Sequence, residues 1–236
     1  MFSEPDPPYT RAHAKEWSFH GLDWWHDGAD LGYVHSGSHS QAVPTNWLLL
    51  HESMCQQVAV TAGEYYEFSA WTRTRTAGNA PPHLDRKVGI DALGATDPAS
   101  ASIVWSPASR TAGVWERQNV VAQAQSDNIT VHARCDAFKA TDWTHVIMDN
   151  TALRHISTCV SVDDAKARHD GDLVRLTGLE VSAVFGDCFY AQSVDRTEGI
   201  RTIGSPLPVE GARVDVIGTM STAGGEKVLL GAASTP

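Results

Sequence analysis

The fold is decided by one stretch of sequence, made of two runs and the break between them: Cys55-Gln-Gln-Val-Ala-Val60, Thr61-Ala-Gly-Glu64 and Tyr65-Tyr-Glu-Phe-Ser-Ala-Trp-Thr-Arg73. Apolar residues fall on alternate positions in both runs, for example at Val58 and Val60 and then at Tyr66 and Phe68. This period of two predicts two β-strands, each with one face on a core. Gly63 supplies the backbone freedom that a reversal needs, so the two strands are expected to pair as an antiparallel hairpin.

The segments around this hairpin continue the pattern of short strands separated by loops rich in Gly, Pro and Asp. Lys87-Val-Gly-Ile90 and Ile103-Val-Trp105 are examples. Because a lone hairpin is not stable in water, these strands are expected to complete a β-sandwich over residues 17–156. A second series of strands predicts a smaller β domain over residues 157–236. Residues 1–16 are expected to be an N-terminal arm or linker.

Composition excludes some function classes. The net charge of −10 is spread along the chain and no basic patch is visible, so a nucleic-acid partner is not expected. No apolar run approaches the roughly 20 residues that a membrane span needs. The start, Met1-Phe-Ser-Glu-Pro-Asp-Pro-Pro8, is acidic and Pro-rich and does not resemble a signal peptide. Three alternatives follow: a cytosolic protein, a leader already removed, or a fragment of a larger protein, and we favour the last two.

The four cysteines leave two alternatives open. Their spacing contains no CxxC motif for zinc or redox chemistry. They are either buried thiols in β-strands or two disulfides, one within each domain, and the second alternative would suit an oxidising compartment.

Several motifs carry a resemblance to known families. The succession HSG, QQV, FSAW, VGID, TDP, IVWS and ITVHA between Trp17 and Arg154 resembles the jelly-roll carbohydrate-binding modules of bacterial polysaccharide-degrading enzymes. The later succession FGDCFYAQ, GIR and GGE resembles small five-stranded OB-fold barrels found as accessory units in bacterial extracellular proteins. The resemblance implies an all-β chain, a jelly-roll β-sandwich followed by an OB-fold-like barrel, located outside the cell or in the periplasm.

The sequence also offers candidate ligand-binding residues. Sugars stack their C–H faces on aromatic rings and hydrogen-bond to nearby polar groups. A Gly-bounded loop provides such a combination, and a second lies beside the loop at residues 96–97. The candidates are therefore Trp24, Trp25, Asp23, His26, Trp105 and Asp97. They predict non-catalytic polysaccharide binding, whereas tryptophans on regular strands (Trp71 and Trp115 among them) are expected to be structural.

The resemblance further implies a structural calcium ion. Jelly-roll modules of this type commonly hold Ca²⁺ between an early loop and the last strand, through hard oxygen ligands. The matching positions here are Asp149 with backbone carbonyls of the turn that contains Ser36 and Ser38. The acidic residue usual in the opening strand is replaced by Phe19-His-Gly21.

Two other function classes stay open. Exposed aromatic residues could mark a protein interface, which would make the chain a self-associating or assembly subunit of an extracellular scaffold. Alternatively, His26, His35 and His39 could form a transition-metal site of an enzyme. A pair of carboxylates, Asp91 and Asp97, lies on one strand-end loop, where turn capping is the expected role.

Overall fold

The computed structural model describes most of the chain. The described residues are 9–10, 18–20, 24–27, 34–37, 39–45, 51–76, 84–139 and 144–234. They form two compact units, Met1–Arg154 and His155–Pro236. In the expected arm at residues 1–16, only a two-residue strand belongs to the described part.

The strands of the first unit are β1 (Tyr9–Thr10), β2 (Ser18–His20), β3 (Trp24–Asp27), β4 (His39–Thr45), β5 (His51–Ala59), β6 (Tyr65–Thr76), β7 (Leu84–Asp91), β8 (Ile103–Trp105), β9 (Glu116–Gln123), β10 (Asn128–Ala137) and the first part of β11 (Thr144–Thr158). They form two sheets. Sheet one has the order β1-β3-β4-β11-β6-β9, and sheet two has the order β2-β5-β10-β7-β8. The alternation of each strand sends one set of side chains between the sheets.

The core of the first unit lies between these two sheets. Tyr66, Phe68 and Ala70 of β6 pack with Val88 and Ile90 of β7 and are buried. Alternate residues of each strand therefore face the interior, as the period of two requires. The predicted jelly-roll sandwich is confirmed.

The predicted hairpin is wrong. β5 pairs with β2 and β10 in sheet two, whereas β6 pairs with β9 in sheet one. The turn still forms, with Gly63 at a φ of 86°, but its backbone bonds to Ala124 (2.8 Å from Gly63 N to Ala124 O). The turn therefore carries the chain from one sheet to the other. An amphipathic strand has to bury its apolar face. Two such strands can do so side by side in one sheet, and they can do so equally well in two sheets that face each other across the core.

The second unit is a closed barrel, also as predicted. Its elements are α1 (Val162–Lys166), β12 (Leu173–Val184), β13 (Cys188–Gln192), β14 (Gly199–Ile203), β15 (Arg213–Ala223) and β16 (Glu226–Ser234). The strands follow the order β12-β13-β14-β16-β15 and close through β15 and β12. Gly178, at a φ of 66°, lies where the β12–β15 register shifts. Its backbone conformation allows the long strand to bend around the barrel.

The segment that leads into the barrel contains the helix α1. Ser161 caps it, since its Oγ accepts a hydrogen bond from Asp164 N at 3.0 Å. Asp163 and Asp164 in the first turn favour the helix dipole.

Two sequence questions are settled by this fold. All four cysteines are free thiols, with Cys55, Cys135 and Cys159 buried. The disulfide alternative is therefore wrong. Within the described ranges, no helix combines the length and hydropathy that crossing a membrane requires.

Candidate functional site

The outer face of sheet one carries a band of aromatic and polar side chains. Along β6, the residues between the core positions include Glu67, Ser69 and Trp71, which point away from the core. β9 aligns Arg117 with Trp71 and Asn119 with Ser69. Side chains directly opposite each other in an antiparallel pair lie within contact distance on one face. The pairing therefore places an indole, a guanidinium and an amide together.

Three aromatic rings form a cluster on this face. The His35 ring stacks on Trp71, with centroids 4.2 Å apart and planes 16° apart. The same His35 ring meets Trp115 edge-on at 5.4 Å. Trp115 also packs on the buried side chains of Ala42 and Ile147. Both indoles are half-buried, so each is anchored while part of its surface remains exposed.

The short segment that carries His35 is tied to the middle of β11. Asp149 Oδ2 accepts hydrogen bonds from the backbone N–H of His35 at 2.8 Å and of Ser36 at 3.0 Å. Asn150 Nδ2 lies 3.1 Å from His35 Nδ1 and 2.7 Å from Ser36 Oγ. These hydrogen bonds fix the backbone at His35 and Ser36. The fixed backbone holds the His35 ring in position to stack on Trp71.

A cleft of about 520 Å³ opens beside the two indoles. Its floor includes Trp71, Trp115, Arg117 and Asn119, and residues 106–109 form part of its wall. We call it the tryptophan cleft. Aromatic surface next to several hydrogen-bonding groups is the combination typical of small-ligand and sugar sites.

The polar end of the tryptophan cleft is organised around a buried carboxylate. Glu67 Oε2 accepts hydrogen bonds from Arg117 Nη2 at 3.1 Å and from Arg154 Nη2 at 2.6 Å, and Oε1 accepts one from Asn119 Nδ2 at 3.0 Å. Burial raises the pKa of the Glu67 carboxyl, but the hydrogen bond to Arg154 and the charges of both arginines outweigh it, so the pKa lies below its usual range. Glu67 is therefore ionised at neutral pH and orients both guanidinium groups.

Residues 106–116 run from the wall of the cleft to Trp115 and Glu116, and we call them the wall segment. A buried arginine holds this segment in place. Arg86 of β7 donates to Thr72 Oγ1 and Thr74 Oγ1, each at 2.9 Å, and to the Thr111 carbonyl at 2.6 Å. It also forms an ion pair with Glu116. Arg86 thus connects sheet two, sheet one and the wall of the cleft.

Trp105, predicted as a ligand-binding residue, lies on sheet two. Its ring covers Gly89, and the Lys87 Nζ lies 4.8 Å from the ring centroid. His132 meets the ring edge-on at 5.9 Å. The indole is half-buried and does not line the tryptophan cleft. Ligand binding by Trp105 stays a prediction.

Replacing Gly89 with alanine is expected to lower the free energy of unfolding of the first unit by about 2 kcal/mol. The added Cβ would lie 2.6 Å from Trp105 Cε3 and 2.7 Å from Ile103 Cγ2, so both side chains would have to move. Urea unfolding would measure the change. Trp105→Ala in the same chain should recover part of the Gly89→Ala cost, and a strictly additive double mutant would contradict the proposed clash.

The predicted carboxylate pair serves the loop between β7 and β8. Asp91 is buried, and its Oδ1 accepts hydrogen bonds from Leu93 N at 2.9 Å and Ala95 N at 3.1 Å. Asp97 is exposed, and its Oδ1 accepts one from Ala99 N at 2.9 Å. Both carboxylates act as turn caps, the role expected for them. A ligand contact by Asp97 remains a prediction.

For the remaining predicted sugar-binding residues, the structure gives the strand position of three and does not describe the fourth. Trp24, Trp25 and His26 lie on β3, where Trp24 pairs with Ala42. Asp23 lies outside the described residues. Because β3 pairs with β4, it belongs to sheet one, the sheet whose strand β6 carries Trp71. A role of these residues in binding stays a prediction.

Calcium at Asp149, Ser36 and Ser38 also stays a prediction, with Ser38 outside the described residues. The described contacts of Asp149 come from N–H groups, including Asn150 N at 2.7 Å. A bound cation would have to share or displace these donors. For the histidine site, no group of three or more His, Cys, Asp or Glu is arranged to hold a metal among the described residues.

Sequence reasoning missed the aromatic cluster of Trp71, Trp115 and His35. Trp71 and Trp115 were expected to be structural because they lie on or beside regular strands. One signal was available. Trp71 is separated from the core residues Phe68 and Ala70 by an odd number of positions, so its side chain had to lie on the opposite face of the strand, away from the core. The proximity of Trp115 and His35 to Trp71 depends on pairing between distant segments and had no local signal.

No protein-family model and no curated protein sequence matches this chain. Similar solved structures include TmCBM61 in complex with β-1,4-galactotriose, 13% identical, covering 60% of this chain and 89% of that one, with a TM-score of 0.46. The CBM22-1 xylan-binding domain of Paenibacillus barcinonensis Xyn10C is 16% identical and covers 61% and 88%, with a TM-score of 0.42. The active domain of bacteriophage CBA120 tailspike protein 4 is 11% identical and covers 60% and 19%, with a TM-score of 0.44. Since each score is below 0.5, function has to be inferred from the residues of this chain.

Proposed function

We propose that this chain is a glycan-binding module and that the tryptophan cleft is its binding site. The observation that carries the proposal is the presence of two half-buried indoles, Trp71 and Trp115, in an open cleft beside Arg117 and Asn119. Binding needs no covalent chemistry here. The C–H face of a pyranose ring would pack on the exposed indole surface, and its hydroxyls would bond to the guanidinium and amide groups.

The supporting contacts favour a rigid site. His35 supports Trp71, Glu67 orients Arg117, and Arg86 holds the wall, so little side-chain entropy remains to be lost on binding. The barrel is proposed to be an OB-fold accessory unit, because it closes with five strands and a parallel β14–β16 pair. An extracellular or periplasmic location belongs to the same proposal, as does membership in a larger polysaccharide-active protein.

Trp71→Ala and Trp115→Ala are each expected to weaken glycan binding about 30-fold, because a central aromatic contact of this kind is worth about 2 kcal/mol. The measurement is retention of the intact chain in affinity gels that contain a panel of soluble polysaccharides. Phe185→Ala, which removes an aromatic residue exposed on the barrel, is the matched control and should bind like the wild type.

Variants of the residues predicted from sequence distinguish other locations for the site. Loss confined to Trp105→Ala would move the site to sheet two, and loss confined to Trp24→Ala or Trp25→Ala would move it to β3. If no polysaccharide retards the wild-type chain, the glycan-binding proposal fails. Self-association of the wild-type chain would then favour the assembly role.

A further inference from the structure

A cluster of charged side chains on the outer face of sheet one has the opposite net charge to the chain as a whole. The whole sequence carries a net charge of −10. On this face, Arg117 of β9, Arg154 of β11 and Glu67 of β6 form one cluster of two arginines and one carboxylate. Glu116, the first residue of β9, is balanced by its ion pair with Arg86. The cluster of Arg117, Arg154 and Glu67 is therefore locally positive.

The excess positive charge of this cluster lies beside the tryptophan cleft, which Arg117 lines. Arg117 and Arg154 both donate to the single carboxylate oxygen Oε2 of Glu67. Their side chains are 39% and 38% exposed, whereas that of Glu67 is 7% exposed. The buried carboxylate neutralises one guanidinium, and the solvent-accessible part of the group carries the remaining positive charge.

The arginines retain donors for a ligand. Among the described residues, Arg117 donates through Nη2 only, and Arg154 donates through Nε and Nη2. A guanidinium that presents further N–H groups at a half-exposed position is suited to a carboxylate or sulfate, which accepts two parallel hydrogen bonds. Neutral hydroxyls do not require such a concentration of charge.

The position of Arg117 joins this charge to the aromatic surface. Arg117 is the direct cross-strand partner of Trp71 and lines the same cleft. A ligand that stacks on the indole therefore has its substituents beside the guanidinium. The combination selects a molecule with an apolar ring face and an anionic group attached to that ring.

We infer that the glycan bound in the tryptophan cleft is acidic, carrying uronate carboxylates or sulfate esters, an inference that rests on the proposed function. Arg117 contacts the anionic group and is a specificity-determining residue. Arg154 and Glu67 are positioning residues that orient the Arg117 guanidinium.

The test compares ligands that share a backbone. Binding of the intact wild-type chain to polygalacturonate is measured by isothermal titration and compared with its carboxyl-reduced form, and binding to a sulfated galactan is compared with the desulfated polymer. We expect at least a 10-fold preference for one acidic polymer over its neutral partner, weakening as salt is added. The pair that shows the preference identifies the anionic group.

Variants separate charge recognition from stacking. Arg117→Gln is expected to weaken binding to the acidic polymer more than binding to its neutral partner and so to remove most of the acidic preference, while Trp71→Ala weakens binding to both polymers to a similar degree. Arg213→Gln, which removes an exposed arginine of the barrel, is the charge-matched control. Should Arg117→Gln fail to fold, the comparison of polymers on the wild-type chain still decides the question.

The possible failures are distinguishable. Equal affinity for acidic and neutral polymers, with loss in Trp71→Ala, would overturn the acidic-glycan inference and leave glycan binding intact. Binding to no polymer would overturn both. Tighter binding to single-stranded DNA than to any polymer would overturn both as well and assign the face to nucleic acid.

Discussion

Arg86→Met is expected to lower the free energy of unfolding of the first unit by about 3 kcal/mol. Arg86 is 1% exposed, and its guanidinium is bonded to two threonine hydroxyls, a carbonyl and Glu116. Removing it leaves Thr72 and Thr74, both buried, without these donors, and leaves Glu116 without its counter-ion. Because the Glu116 side chain is 33% exposed, water can solvate part of its charge, which places the expected cost at the lower end for a broken buried pair.

Tryptophan fluorescence during urea unfolding measures this effect selectively. All eight tryptophans precede Arg154, so the signal reports on the first unit. Arg110→Met is the matched control, since Arg110 forms an ion pair with Asp85 but its side chain is 62% exposed. An exposed pair of this kind contributes less than about 1 kcal/mol.

The two arginine variants also distinguish the role of the wall segment. Arg86→Met should additionally expose residues 106–116 to hydrogen exchange below the global unfolding transition, because the bonds to Thr111 and Glu116 are lost. Equal destabilisation by Arg86→Met and Arg110→Met would contradict the central position assigned to Arg86. So would unchanged exchange of residues 106–116.

The local pattern of the chain could predict its strands but not all their partners. The alternation at Tyr66 and Phe68 identified the buried face of β6 correctly, because the period of two depends only on backbone geometry. The same alternation is satisfied whether β5 lies beside β6 or faces it across the core. Local sequence therefore could not decide between a hairpin and a crossing between sheets.

The candidate site was harder to predict for the same reason. Trp71, Trp115 and His35 lie far apart in sequence and meet through pairing of β6 with β9 and through the bonds of Asp149. Arg86 lies in a strand whose sequence gives no sign that an arginine should be buried. Its partners come from three separate segments, and only the folded chain brings them together.

The second large effect concerns the barrel, where Gly231→Ala is expected to cost about 3 kcal/mol, at the upper end for overpacking. A Cβ on Gly231 would overlap the Ile217 carbonyl oxygen and lie 2.5 Å from the Gly218 Cα. Gly218 is the cross-strand partner of Gly231, so the obstacle is paired backbone that cannot rotate away as a side chain can.

Hydrogen exchange over β14, β15 and β16 provides the measurement for Gly231→Ala, because the barrel contains no tryptophan. A loss of about 3 kcal/mol corresponds to a roughly 100-fold fall in amide protection. Gly186→Ala is the control, since a Cβ there meets no atom within 4 Å. Because β16 pairs with both β14 and β15, opening at Gly231 should raise exchange in all three strands together. Faster exchange confined to the ends of β16 would show that the strand yields locally and that the close backbone approach does not hold the barrel closed.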